Sequence, residues 1–255
     1  MTDSNRIIRR RDFLLSGSAL AGAAALGGLL PGIARAAGEK IKVGLMLPAT
    51  GTFAALGTAI ENGFRLALLE KGGKVAGREF EFFSVDDESN PAKAPDNTNK
   101  LVQRDKVDIV IGTVHSGVVM GMAKVLKESG TLWINPNGGA GAMTGALCSP
   151  NFFRTSFSNW QSTYALGAHM VKNGHKNAVF MTWKYAAGEE MLEGFKEGLE
   201  KAGGKLVKEI LVPFPNVEFQ ANLTEIASLK PDAVACFFAG GGAAKFLKDY
   251  QAAGL

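Results

Sequence analysis

The chain has 255 residues, 46% of them hydrophobic and 20% charged, which is ordinary globular material for one large domain or two small ones. Of the net charge of +4, residues 1–36 supply +3 through Arg6, Arg9, Arg10, Arg11 and Arg35 against Asp3 and Asp12, leaving +1 for the remainder. A body this close to neutral gives no electrostatic case for binding nucleic acid.

Residues 1–36 read as an export signal. Arg10 and Arg11 stand in "RRRDFLL", a Gly/Ala/Leu-rich segment follows over residues 14–33, and "ARAA" offers Ala34 and Ala36 as an A-x-A cleavage site. Paired arginines followed by Phe13 and Leu14 resemble a twin-arginine signal. Glycines and Pro31 interrupt the segment, which favours a cleaved signal over a membrane anchor. Charges or turn residues break every later apolar run. The mature chain is therefore expected to start near Ala37 and to work in the periplasm. Export permits a disulfide between Cys148 and Cys236. However, "AVACFF" around Cys236 reads as a buried strand and Cys148 falls in a loop, so the balance favours free thiols.

From there, short apolar runs alternate with helical spacing. "IKVGLML" predicts a strand, and Leu56, Ile60, Phe64, Ala67 and Leu68 mark one face of a helix that Gly72 and Gly73 stop. "REFEFFSVDD" predicts a strand ending in acids. "NPAKAPDNTNKLVQRDK" predicts a helix whose Pro95 fits only near the first turn. "VDIVIG" is a strand, Val118, Met122, Val125 and Leu126 mark a helix, and "TLWINP" is a strand. "NFFRTSF" reads as a crossing segment. A second series follows: a helix over about residues 160–173, strand "NAVFMTW", and a helix with Met191, Phe195 and Leu199 on one face. Strand "KLVKEILV", helix "ANLTEIASL", strand "DAVACFF" and helix "AAKFLKDYQ" complete it. Such alternation indicates βαβ units and parallel sheets. We read α/β architecture in two Rossmann-like lobes joined by a hinge, with boundaries at 1–36 for the signal, 37–153 for the first lobe and 154–255 for the second.

In parallel α/β sheets ligands bind at the carboxyl ends of strands. That rule selects the loops "PATGTFAALG", "GTVHSGV", "NPNGGAGAMTG", "TWKYAAG" and "FFAGGGAA". Glycines in such loops let a ligand approach backbone N–H groups, and a helix starting behind one adds its positive dipole end.

Catalysis is poorly supported. A hydrolase built on Ser116 needs a base and an orienting partner. His115 is its sequence neighbour, and adjacent side chains at a strand end point apart. No G-x-S-x-G elbow is present, and His169 and His175 have no carboxylate motif to orient them. The histidines and cysteines lack metal-ligand spacing. "DDES" at residues 86–89 reads better as a solvated loop than as a ligand set. "NGGAGAMTG" follows a strand but lacks the G-x-G-x-x-G register and the G-K-[ST] lysine, so a nucleotide loop is not expected. No catalytic residue, metal or cofactor is therefore expected. Backbone donors, hydroxyls, amides and aromatics remain, which suits reversible binding of a small carboxylate.

The signal, the two series and the ordered landmarks "IKVGLMLPATGTFAALG", "GGKVAGREFEF", "VDIVIGTVHSG", "LWINPNGG", "FFRTSFS" and "KPDAVACFFAGGGAAKFLKDYQAAGL" resemble the periplasmic solute-binding proteins of ABC importers, of the leucine/isoleucine/valine type. The resemblance runs from Lys40 to Leu255. In that family the chain crosses between lobes three times and continues past a segment like "QAAGL", so the second lobe and final crossover are expected to be incomplete here. The resemblance implies a ligand carboxylate at Ser116, held by its hydroxyl and N–H and by the helix end at Gly117, with Asn137, Gly138 and Gly139 closing the pocket and His115 shaping its wall. Read alone, without the lobe context, Ser116 fits better as an N-cap; the lobe context favours the ligand.

Amino-acid receptors of that group place tyrosines in the loops matching "TWKYAAG" and "FFAGG", where this chain has Ala187 and about Ala239; Tyr185 lies two positions from the first. The missing aromatic cage points away from an α-amino acid. Phe53, Trp183, Tyr185 and Phe238 at strand ends suit an aromatic or other apolar acid, and "RTSFSNWQ" is similar to that branch. Trp183 and Phe238 read equally as strand-core residues. The implied partners are membrane permease and ATPase subunits. A branched-chain amino acid receptor and a ligand-sensing subunit remain as alternatives.

Overall fold

Residues 39–255 are described by the structure, a computed structural model; the expected signal over residues 1–36 lies outside them. The two α/β lobes with parallel sheets are present. In the first, strand β1 (Ile41–Leu47) lies between parallel partners β3 (Arg78–Asp86) and β4 (Ile109–Ile111). The order is β2-β3-β1-β4-β5-β6, with β2 (Lys74–Val75) the antiparallel member, β5 at Leu132–Asn135 and β6 at Phe152–Arg154.

A strand covered on both faces is apolar throughout, and β1 shows why. It sends Val43, Leu45 and Leu47 against helix α1 (Ala54–Glu70), where Ile60 and Phe64 pack. Met46 points to the opposite face, into a core shared with Ala94, Val118, Val119, Met122 and Leu126. Those residues come from α2 (Ala94–Asn99) and α3 (Ser116–Ser129). The segment expected to be one helix is divided. A 3-10 turn at Pro91–Lys93 precedes α2, and a π turn at Lys100–Arg104 ends it. Pro95 sits in the first turn of α2, where a missing N–H costs nothing.

The first half of the expected crossing segment is a strand. β6 pairs with β5, and Phe152 packs edge-on against Trp133 at 4.6 Å between ring centroids. The chain leaves the sheet after Arg154 and starts α4 (Asn159–Lys172).

The second sheet has the order β8-β7-β9, all parallel, from β7 (Asn177–Lys184), β8 (Lys205–Pro213) and β9 (Ala233–Phe237). Alternation along β7 serves two cores. Ala178 and Phe180 face α4 and α5 (Ala186–Lys201), meeting Met170, Met191, Phe195 and Leu199. Val179, Met181 and Trp183 face α6 (Gln220–Leu229) and α7 (Gly241–Ala252), meeting Leu223, Ile226 and Phe246. Cys148 and Cys236 are both free. Cys236 corrects one expectation: it lies on a strand, but exposed, because β9 is an edge of this sheet.

Helices α4 and α5 meet through glycines. A Cβ on Gly167 would come within 2.4 Å of the Phe195 carbonyl, on Gly194 within 2.5 Å of the Trp160 carbonyl, and on Gly198 within 2.0 Å of the Tyr164 carbonyl. In an open helix Gly→Ala gains about 1 kcal/mol. Here the obstacle is backbone, and forced overpacking costs about 1–3 kcal/mol. Gly198→Ala is therefore expected to lose stability by up to about 2 kcal/mol, read as a lower urea midpoint at unchanged slope. A gain in midpoint would show that the helices separate without cost.

Candidate functional site

The selected loops converge. Phe53 follows β1, Val114 and Ser116 follow β4, and Asn137 and Gly139 follow β5. Phe157 and Asn159 follow β6, Tyr185, Ala187 and Met191 follow β7, and Ala239 follows β9. Together with Leu56 and Phe237 they line one cavity of about 150 Å³. Every contributing strand delivers its carboxyl end, as the parallel topology requires. A larger hollow of about 310 Å³ lies between α1 and β3, but Glu61 and Asp86 line it and make it unsuited to an anion.

At the start of α3 the structure corrects the capping assignment. The N-cap is His115, not Ser116: Nδ1 of His115 accepts from the N–H groups of Gly117 at 2.9 Å and Val118 at 3.4 Å. The acceptor role of Nδ1 puts the ring proton on Nε2. The imidazole packs against Tyr185 at 4.8 Å, Phe214 at 4.9 Å and Phe53 at 5.9 Å. Burial pulls its pKa down to about 4, so the ring is neutral near pH 7.

With the cap supplied by its neighbour, Ser116 is released for other work. Its Oγ accepts from Asn159 Nδ2 at 3.1 Å, and Asn159 Nδ2 also donates to Glu190 Oε2 at 2.7 Å. The hydroxyl proton has no acceptor among the described residues. Both oxygens of Glu190 accept from the Gly141 N–H, at 3.0 and 3.1 Å.

The loop after β5 is tied by Asn135. Its Oδ1 accepts from the N–H groups of Asn137 at 3.2 Å and Gly138 at 2.9 Å, and its Nδ2 donates to the Gly138 carbonyl at 2.6 Å. Glycine is required at 139: a Cβ there would stand 2.3 Å from Asn159 Oδ1. Beneath the loop after β4, Thr113 donates to the buried Asp87, whose pKa is raised by its burial despite that bond.

Of the residues expected from the sequence, Phe53, Ser116, Asn137, Gly139 and Tyr185 line the cavity. His115, Gly117 and Gly138 stand behind it as cap, helix start and loop fastening. Trp183 and Phe238 belong to the core instead. Trp183 is fully buried and its Nε1 donates to the Asn216 carbonyl at 2.7 Å. Phe238 packs on Phe219 at 4.8 Å and Phe246 at 4.9 Å. The cavity's aromatic wall comes from Phe53, Phe157, Tyr185 and Phe237. Burial raises the Tyr185 phenol well above its ordinary pKa.

A family model described as periplasmic binding protein matches residues 40–255. The chain belongs to the periplasmic binding protein family. Over 84% of its length it is 55% identical to the solute-binding protein of an ABC transporter from R. palustris, solved in complex with benzoate, with a TM-score of 0.83. It is 32% identical, with a TM-score of 0.80, to an ABC-transporter solute-binding protein from Rhodopseudomonas palustris BisB5 in complex with 3,4-dihydroxy benzoic acid. Among curated proteins it is 31% identical over 78% of its length to the Leu/Ile/Val-binding protein BraC3 of Rhizobium johnstonii. The chain spans 60%, 59% and 54% of the lengths of these three relatives, respectively.

Sequence reasoning missed Asn159, Met191 and Glu190. Asn159 had a usable signal: "SNWQ" carries a helix start, with Gln161 Oε1 accepting from the Ser158 N–H at 2.8 Å. In this family member the neutral His115 sets a pH dependence. Its folded pKa of about 4 lies below the ordinary 6.5, so the unfolded chain binds the proton first. The stability that rests on the neutral His115 is expected to be full above pH 6.5 and to fall by about 3 kcal/mol as pH drops towards 4. His115→Asn, which keeps a capping oxygen, is expected to shrink that loss. Urea unfolding of both proteins at pH 7 and 4.5 reads the difference, and equal losses would remove His115 as the cause.

Proposed function

We propose that the chain is the ligand-binding part of an extracytoplasmic receptor of an ABC importer, which holds a small aromatic or other apolar carboxylate between its lobes and delivers it to a membrane permease. The observation that carries this reading is a buried serine hydroxyl at a helix N-terminus, with its proton unclaimed, facing a small cavity walled by aromatic rings. An anion there gains a hydrogen bond and the positive end of α3. An apolar cavity near 150 Å³ is of the size that takes up benzene in other proteins, so one aromatic ring fits the space. A relative 55% identical was solved with benzoate.

In this reading residues 1–36 are a cleaved signal, the lobes are residues 37–153 and 154–255, and binding is non-covalent hinge closure without turnover. The ATPase subunit of the importer would be the indirect partner. A branched-chain amino acid is the second reading, favoured by the curated relatives named for Leu/Ile/Val binding.

Calorimetry with benzoate, hydroxybenzoates, leucine and valine separates the two. Binding of the aromatic acids with no heat from leucine or valine is expected, and the reverse pattern would establish the amino-acid reading. Ser116→Ala is expected to weaken benzoate about 10- to 100-fold, the range of one charged hydrogen bond. An unchanged Kd in that variant would remove Ser116 from the site.

A further inference from the structure

Glu190 lies outside the cavity, yet its carboxylate is bound to Asn159, which lines it. It reaches from α5 of the second lobe to the Gly141 N–H in the loop after β5 and to Asn159 Nδ2 at the start of α4. A carboxylate accepts and cannot donate, so it fixes which end of the Asn159 amide it meets. The NH₂ end faces Glu190 and, with its second hydrogen, Ser116 Oγ. Ser116 is thereby held as an acceptor on one side, and its own proton is free for the cavity. If the amide were turned over, Asn159 Oδ1 would take that proton and the cavity would lose its donor.

Resting on the reading of the cavity as a carboxylate site, we infer that Glu190 and Asn159 are positioning residues that set the polarity of the Ser116 hydroxyl and so select a carboxylate over a ligand that presents a donor. Neither residue needs to touch the carboxylate for this, and Glu190 acts from the opposite lobe through two hydrogen bonds.

The sign of one substitution separates positioning from plain electrostatics. Glu190→Gln removes a negative charge near an anion site, and by Coulomb attraction alone that tightens anion binding. Under the positioning role it does the opposite. A glutamine amide can donate to Asn159 and turn it, so that Ser116 points its proton at Asn159 Oδ1. The test is calorimetry of the full chain with benzoate and benzamide as probes, with thermal unfolding as the fold control. The expected result is a benzoate Kd at least tenfold weaker in Glu190→Gln and a benzamide Kd unchanged or tighter. In a Ser116→Ala background the relay has lost its end point, so Glu190→Gln is expected to leave benzoate binding unchanged or tighter rather than weaker. Should Glu190→Gln fail to fold, Asn159→Ala carries the same cycle with Ser116→Ala. Benzoate affinity unchanged or raised in Glu190→Gln, or effects that add in the double variant, overturn this inference alone. Absence of benzoate binding by the wild type overturns it together with the reading of the site.

Discussion

The contact on which the arrangement of the two sheets depends is the burial of Phe53. It stands one short loop beyond β1, at the carboxyl edge of the first sheet, yet it is only 1% exposed because its ring enters the core of the second. There it meets Phe214 at 5.7 Å and Trp183 at 6.3 Å, while its N–H donates to Ser89 Oγ at 3.4 Å in the first lobe. Burying one such ring is worth about 2 kcal/mol. The approach is close enough that Gly240, at φ +56, would place a Cβ 2.3 Å from the Thr52 carbonyl. With His115 packed on Tyr185 and Phe214 beside it, this aromatic helps to bring the strand ends of the two sheets face to face around the cavity.

Electrostatics then follow from what the loops leave uncommitted. The imidazole of His115 is neutral and spends its lone pair on the helix end. The carboxylate of Glu190 is occupied by two donors, and the half-buried Arg154, which donates to the Ala140 carbonyl at 3.0 Å, lies near enough to feel its charge. Among the described residues, the polar groups that reach the cavity are therefore uncharged, and a bound anion would meet hydroxyl, amide and dipole rather than an opposite full charge. Such a site would hold an ion without a salt bridge to break on release.

The sequence carried the architecture well, because each buried strand is a short apolar run and each helix shows its face, from "IKVGLML" to Met191, Phe195 and Leu199. Strand β6 was not legible: three residues beside a glycine-rich loop give no alternation to read. The site was legible to the extent that it lies on strand-end loops, which is why Ser116, Asn137 and Gly139 emerged. Asn159 and Glu190 did not, since their partnership joins residues 31 positions apart on different helices and leaves no local pattern. His115 misled in a different way. Histidine is not among the usual N-caps, so the local reading gave the cap to serine and overlooked the residue that freed it. Trp183 and Phe238 show the limit of placing aromatics by loop position alone: one step along a strand exchanges cavity for core.

The glycine seam between α4 and α5 has a mechanical consequence. At Gly167, Gly194 and Gly198 backbone meets backbone, with the Thr163 side chain beside Gly194, so the helices have little room to yield there by changing rotamers. The pair behaves as one stiff lever, and both Asn159 and Glu190 ride near its end. In the proposed hinge motion, a displacement of the second lobe would therefore fall on the bonds at its tip, Ser116 to Asn159 and Gly141 to Glu190. Opening and loss of the hydroxyl's fixed polarity would then be the same event.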